Sequence, residues 1–456
     1  MNQPIHLQAG VAKVDITNVE AGPINDSLYA KALVLRDEMT TVVLVTVDAV
    51  AIAEIGSIRN EYLSSVRAQL HRELNIEGEN VVINASHCHG SVCEDVETRT
   101  VQAVKEACQN MVPVQVGVGI GHEDRIMENR RLRLKDGSEA DVRHAYALPA
   151  DEDVDGVGPV DPEIGILRLD KQNGETLAVV FNFACHPIQG VPSGGNTADL
   201  SGFACTVVED NLGEDTVALF LQGCAGDVNP VLYKDVDHPR NGEPMGNMLG
   251  LSTLKALKGI QSSEGGALKV VQEILELPRA DLARNIDALQ AEQMRLLESL
   301  KGTNLNLKTF LPLIVKYSLS EDFPSYSSHR YLHQKMMGSN DLDKLDDDNR
   351  KHLDQYIENI HTMEQLTRVQ TNLNLLKKRH AQNVASGKRT IDVEIMGVRI
   401  GDFVLVTFLV TFFGHFFFGD RVDMSPRRHP PRSLELHGSL VGGSRPIFGR
   451  NTGEKG

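Results

Sequence analysis

Tryptophan is absent from the 456 residues, and aromatic residues make up only 5% of them. Carbohydrate-stacking grooves and interfacial aromatic belts are built from such rings, so both are disfavoured. Long apolar runs are missing as well. A membrane span needs roughly 18 consecutive apolar residues, and the nearest approach, Phe403 to Phe418, is interrupted or bounded by Asp402, Thr407, Thr411 and His415. Met1 to Gln8 contains no basic n-region or apolar h-region, so the chain as written reads as cytoplasmic, and a start further upstream would make it an exported protein. The six cysteines, Cys88, Cys93, Cys108, Cys185, Cys205 and Cys224, form no CxxC pair and mostly lie in apolar runs; they read as reduced core residues. Positive charge is in deficit too. A formal net charge of -16 argues against nucleic acid or an anionic membrane surface as partner, since both are polyanions. The length allows a large core, in one big domain or two to three smaller ones, and small molecules remain open as ligands.

What is present is a succession of apolar runs separated by helical patterns. Thr41 to Val47 is a β-branched run ending at Asp48, a helical pattern follows from Arg59 to Leu74, Val81 to Ile83 leads into His87, and Val96 to Met111 reads as a second helix. Pro113 to Gly121 alternates Val116, Val118 and Ile120 on one face. Strands are then expected at Ile164 to Leu169, Leu177 to Phe183 and Val217 to Leu221, with a helix from Gly202 to Leu212. The pattern predicts an α/β fold: a mixed sheet with flanking helices and functional loops at the carboxyl ends of its strands.

Residues 281–388 change character. Ile286, Leu289, Met294, Leu297 and Leu300 recur at helical spacing, and a longer amphipathic stretch runs from Leu342 to His380. Two long antiparallel helices are predicted, forming a helical insertion. The charge run Asp341 to Arg350 reads as a solvated face or a helix start. The sequence therefore divides into residues 1–280, an α/β catalytic domain; 281–388, the insertion; 389–412, returning strands with a hairpin around Gly401-Asp402; and 413–456, an atypical tail. From Arg421 onward seven basic residues oppose three acidic ones, a net +4 at the end of an acidic protein, and the tail reads as disordered or foreign to the fold.

Three polar motifs follow apolar runs directly: Asn84-Ala85-Ser86-His87-Cys88-His89-Gly90, Asn182-Phe183-Ala184-Cys185-His186-Pro187 and Gln222-Gly223-Cys224-Ala225-Gly226-Asp227-Val228-Asn229-Pro230. Polar residues at strand ends should gather at one rim of the sheet. Imidazole suits zinc, and a catalytic zinc takes about three protein ligands with one position left for water. His87, His89 and His186 are three candidates. On an extended strand the two side chains of His-x-His share one face, so both can ligate, or one can ligate while the other meets the substrate. A lone histidine such as His186 is more often a hydrogen-bonded structural residue; its company here points to metal.

In their order along the chain, Ala9-Gly10-Val11-Ala12-Lys13-Val14-Asp15-Ile16-Thr17, the His-x-His-Gly run, Asn129-Arg130-Arg131, Gly158-Pro159-Val160-Asp161-Pro162-Glu163, Phe-Ala-Cys-His-Pro and Gln-Gly-Cys-Ala-Gly-Asp-Val-Asn-Pro resemble the N-terminal catalytic domain of neutral/alkaline, non-lysosomal ceramidases. The resemblance covers residues 9 to about 235 well and Val393 to Phe408 more weakly. It implies a zinc-dependent amidohydrolase that cleaves the N-acyl amide bond of a sphingolipid or another small-molecule or lipid amide through a metal-activated water. His87 and His186 would be metal ligands for Zn2+. His89 would polarise the attacked group or exchange a proton with it, and Arg130 would stabilise a developing oxyanion. Arg131 is equally readable as a structural ion-pair partner.

The sequence departs from that family in two places. Asn229 stands where ceramidases proper have serine; an amide can orient or hydrogen bond but cannot attack, so Asn229 is expected to position substrate or to cap the following turn. In the family a strand like Val404 to Phe408 is followed by Pro-Gly-Glu, whose carboxylate binds zinc, and a later tyrosine supplies another ligand. Here the strand runs into Leu409-Val410-Thr411-Phe412, and no tyrosine follows Tyr356. A frameshift near Phe408 would account for this. Glu394, Asp199, Asp227 and His89 are the candidates for completing the shell, and Asp48 and Asp199 for accepting histidine N–H groups. The rival reading is an inactive or truncated member with an incomplete metal site and only a binding or structural role.

Overall fold

The mostly β-branched run Thr41–Val47 favours a strand over a helix and is buried along nearly its whole length, as a strand covered on both faces must be. The computed structural model describes residues 7–53, 55–142, 149, 151–231, 233, 237–410 and 413–416. In chain order it begins with strands β1 (Gln8–Asp15), β2 (Tyr29–Arg36) and β3 (Thr41–Val47), helix α1 (Tyr62–Leu74), β4 (Val81–Ala85) and helix α2 (Val96–Gln109). There follow β5 (Val112–His122), the short β6 (Met127–Asn129), β7 (Arg131–Leu134), β8 (Glu139–Asp141) and β9 (Val154–Val157), then β10 (Glu163–Lys171), β11 (Thr176–Phe183), α3 (Asp199–Leu212), β12 (Val217–Gln222), β13 (Val228–Pro230) and α4 (Glu243–Leu257). The mixed α/β class expected from the sequence is the one observed.

Eight strands form one mixed sheet in the order β12-β11-β10-β5-β1-β2-β3-β4. It consists of two similar halves. In each, three antiparallel strands are followed by a helix, a parallel fourth strand and another helix: β1-β2-β3-α1-β4-α2 in the first, β5-β10-β11-α3-β12-α4 in the second. Among the described residues, only the pairs Gln8↔Pro113 and Ala9↔Val112 join the halves by a ladder. The halves pack face to face. Leu33, Leu35, Leu44 and Val82 of the first share a core with Leu167, Leu169, Val180 and Leu219 of the second. α1 and α2 cover the outer face of the first half through Tyr62, Val66, Leu70, Val101 and Val104, and α3 and α4 cover the second through Leu200, Ala204, Val208 and Leu249. The layers run helix, sheet, sheet, helix.

The inner face turns polar toward one end, and there side chains take over from backbone ladders. The Lys31 ammonium donates to the Ala218 carbonyl at 3.0 Å, and Thr46 Oγ1 and Asn84 Nδ2 both donate to the Phe220 carbonyl. Asn84 Oδ1 accepts from the Gln222 amide, and Glu209 Oε1 accepts from the Ala218 amide. These bonds satisfy backbone groups of edge strand β12 that would otherwise be buried unpaired. They also draw the end of β4 to the end of β12, so loops from both halves meet at one rim.

One strand differs from expectation in its facing. Alternation in β5 puts Val116, Val118 and Ile120 on one side, yet Val118 and Ile120 are 39% and 63% exposed. The glycines between them face the covering layer: a Cβ on Gly119 would lie 2.5 Å from Ile260, and one on Gly121 3.1 Å from Ala256. Close approach of the chain following α4 selects the glycine face, which a hydrophobicity pattern cannot register.

A second compact unit comprises Pro278–Ile391. The chain enters it from β14 (Leu268–Pro278) and passes through α5 (Ala283–Ser299), α6 (Leu307–Leu319), α7 (Ser328–Met336) and the 46-residue α8 (Asp341–Ser386). It returns into β15 (Thr390–Ile400), β16 (Phe403–Val410) and β17 (Phe413–Phe416). Arg279 bonds Asn383 at one end of α5, and the Lys301 amide bonds Asn359 at the other, so α5 and α8 are antiparallel. Two helices were expected and four are present; α6 begins with an Asn306/Thr309 capping box. The hairpin at Gly401-Asp402 is observed, with Gly401 at φ 61°. Of the expected atypical tail, residues 417–456 lie outside the described residues.

Candidate functional site

Parallel pairs β3/β4 and β11/β12 each end at the rim closed by the polar seam, and the chain leaving β4 and β11 carries the histidines. The Ser86 amide bonds the Val47 carbonyl and the His87 amide bonds Ala49, which folds this loop back on the end of β3. His87 sits at φ 68°, a left-handed conformation that a residue with a Cβ adopts only when its surroundings enforce it. This corrects the extended His-x-His geometry. β4 ends at Ala85, and the rings of His87 and His89 meet edge-on with centroids 5.6 Å apart. His89 is exposed while His87 is partly buried.

His186 lies closer to His87 than His89 does, with ring centroids 4.7 Å apart. Its backbone amide and its Nδ1 both meet the Val228 carbonyl, at 3.0 and 3.1 Å. His87 Nδ1 lies 2.6 Å from the Val50 carbonyl. A carbonyl can only accept, so in each ring the proton sits on Nδ1 and the lone pair on Nε2. Burial, helped by the neighbouring His89 and Arg130, lowers the His87 pKa to about 4 against the opposing Val50 bond. Burial, His87 and Arg130 together lower that of His186 to about 3. Both imidazoles are neutral near pH 7.

Arg130 is buried at 8% exposure; its Nη2 donates to the Gly226 carbonyl at 2.6 Å, and its charge acts on both imidazoles. Arg131 pairs instead with Asp227 at 3.1 Å, which fits the structural role of an ion-pair partner. Asn229 is 1% exposed. The Gly-Asp-Val-Asn-Pro segment is not wholly a turn: Val228–Pro230 forms β13, antiparallel to β6, with Asn229 opposite Glu128. Asn229 thus lies in a strand, and its buried Oδ1 has no hydrogen-bond partner among the described residues.

The carboxylates offered by the sequence are engaged elsewhere. Glu394 forms a two-pronged ion pair with Arg67 at 2.7 and 2.8 Å, and Asp227 faces Arg131. Asp199 starts α3, accepting from the amides of Gly190 and Leu200; burial nevertheless raises its pKa to about 6. Asp48 accepts from the Tyr29 amide. Asp48 and Asp199 thus hold backbone amides, and the histidine N–H groups are held by the carbonyls of Val50 and Val228. Those two carbonyls are the orienting groups that sequence reading missed, because backbone atoms carry no residue signature.

A zinc ion takes neutral imidazole whose other nitrogen is hydrogen-bonded, and His87 and His186 meet that description. A complete shell is another matter: among the described residues, no group of three or more His, Cys, Asp or Glu side chains converges in a way that could hold a metal. The donor set fits zinc as a pair of ligands only. A separate groove of about 460 Å³, lined by Asp15, Asn18, Glu20, Glu94 and Arg99 among others, contains none of the three histidines.

Fold and site together define an α/β protein with a strand-end histidine and arginine cluster. No protein-family model and no curated protein matches the chain. Among solved structures it is similar to neutral ceramidase from Pseudomonas aeruginosa, at 18% identity and a TM-score of 0.47 over 61% of this chain and 49% of that one. A ceramidase complexed with C2 is similar at 17% identity, with the same TM-score and coverage. The chain spans about half the length of these proteins.

Proposed function

We propose that this chain is a zinc-dependent amidohydrolase acting on the N-acyl bond of a lipid or another amide. The observation that supports it most is the pair of neutral imidazoles, partly buried His87 and buried His186, each oriented by a backbone carbonyl, beside a buried arginine. The six ordered sequence motifs that resemble neutral ceramidases supply the reaction type. His87 and His186 would hold the metal through Nε2. When bound, zinc polarises an amide carbonyl and lowers the pKa of water to about 7.

The remaining steps belong to the chain's own groups. Arg130, always charged and held by Gly226, would stabilise negative charge on the carbonyl oxygen as the amide becomes tetrahedral. Exposed His89, one ring from His87, would pass a proton to the departing amine. Asn229 Oδ1 would accept a hydrogen bond from a substrate N–H or O–H and fix the amide plane. A second reading, an inactive member with an incomplete site, is favoured by the missing third donor among the described residues.

Elemental analysis of the purified chain, with His87→Ala as control, separates the two. About one zinc per chain, lost in the control and accompanied by hydrolysis of N-acyl amides, is the expected outcome. Absence of zinc from both, with no hydrolysis on adding it, would leave only the second reading.

A further inference from the structure

α6 shows a stripe that folding has left uncovered. Phe310 and Tyr317 on its inner side are buried against Leu353 of α8. On the other side Leu307, Leu311, Val315 and Leu319, each four residues apart, are 61%, 51%, 54% and 69% exposed. Residues four apart stack along one face, so this is a continuous apolar ridge of about 18 Å at 1.5 Å per residue. Met336 and Met337 at the end of α7 are likewise exposed. Apolar side chains scattered singly over a surface need no explanation, whereas a ridge does.

The charge on the ridge's own helix runs against that of the molecule: α6 carries Lys308 and Lys316 and no acidic residue, in a chain of -16, while the acidic start of α8, with Asp346, lies on its inner side. An apolar face accompanied by lysines is the pattern of a helix lying in the plane of a membrane interface. At 13 residues α6 is too short to cross a bilayer. A symmetric dimer through the ridge would bring together two copies of a helix that carries Lys308 and Lys316 and no acidic residue, a like-charge approach that disfavours that occupant.

We propose that the α6 ridge of the helical unit docks on the surface of an anionic lipid bilayer. The whole-chain charge argues against such a surface, but attraction to lipid headgroups falls off within a Debye length, so local charge decides. The inference does not depend on the hydrolase reading, since a chain without zinc would retain the ridge.

The test is co-sedimentation of the full chain with vesicles of phosphatidylcholine alone and of phosphatidylcholine with phosphatidylglycerol. Binding is expected to the anionic vesicles, weakening as salt is raised. Leu311→Glu/Val315→Glu changes only exposed positions and should abolish it with the circular dichroism spectrum unchanged. Lys308→Gln and Lys316→Gln should each weaken it about fivefold. Failure of the wild type to bind anionic vesicles would overturn the proposal. So would binding unaffected by the double glutamate variant, or a concentration-dependent dimer that this variant dissociates.

Discussion

The two units of the chain bury their polar groups in opposite ways. In the α/β unit the ion-paired Lys31 lies inside the seam, where its ammonium meets Glu209 at 2.8 Å and the Ala218 carbonyl, while apolar layers close around it on both sides. In the helical unit the buried residues are few. The 46-residue α8 has four, Asp346, Leu353, Val369 and Leu373, and the first is a carboxylate. Asp346 accepts from the Tyr317 hydroxyl at 2.7 Å, while Asn349 donates to the same hydroxyl. Burial and then Asp346 push the hydroxyls of both Tyr317 and Tyr331 up to about 12. A polar group thus plays a different part in each unit. In the first it completes a sheet edge inside a large core, and in the second it stands in for a core that is scarcely there.

If that contrast holds, substitutions in the seam should unfold the α/β unit as a whole. Glu209→Ala leaves Lys31 buried without its carboxylate, and a loss of about 3–5 kcal/mol is expected in chemical denaturation. The same pair sets an acid limit. Burial pulls the Glu209 pKa up, but Lys31 and Lys13 draw it further down, to a net value below 4.5. Its contribution is therefore complete above pH 4.5 and is lost as pH falls through the lower, folded value. Glu209→Gln should flatten the stability profile in that acid window, and an unchanged profile would detach the seam from acid unfolding.

Gly10→Ala tests the packing of α2 on β1. Its Cβ would lie 2.0 Å from the Ala107 carbonyl oxygen, which only backbone movement can relieve. A loss of about 1–3 kcal/mol is expected, read as a lower denaturation midpoint. The helical unit should respond locally. Asp346→Ala removes hydrogen bonds to a charged acceptor, and about 1.5–3 kcal/mol should be lost from that unit. Hydrogen exchange should accelerate at Leu353 and Tyr317 but not at Val180 or Leu219. Equal acceleration in both places would show that the two units unfold together. Tyr331→Phe, which deletes one of the hydroxyls on Asp346, should cost about 1 kcal/mol at the same amides.

Reading from sequence succeeded where one residue type decides one property. Thr41 to Val47, Val81 to Ile83 and Leu177 to Phe183 are strands because branched and aromatic side chains fill both faces of a buried sheet, and α2 keeps its expected start at Val96. The gathering of His87 and His186 at one rim also follows from polar residues placed after apolar runs, whereas Arg130 stood out only through the family resemblance. What stayed hidden depends on tertiary partners. The glycine face of β5 is inward because Ile260 returns to meet it, and Asn84 is a seam residue because β12 lies opposite. The left-handed turn at His87 needs the Ala49 and Val50 carbonyls, which no motif names. Asp199 and Glu394 read as candidate ligands because a carboxylate looks alike wherever it stands. Their partners, two backbone amides and Arg67, appear only in space.

The helical unit leaves the α/β unit through β14 and returns through β15, and these strands are neighbours in one sheet. The Arg279 amide bonds the Arg389 carbonyl where the two chain paths part. Entry and exit are therefore about one strand spacing, 4.8 Å, apart. For the α/β unit the whole excursion is topologically a long hairpin loop, and the entropy of closing a loop rises only slowly with its length. A chain with a tight turn at this point could form the same sheet. Lengthening, replacing or deleting the helices is then an edit to a loop, leaving the path of the α/β chain unchanged.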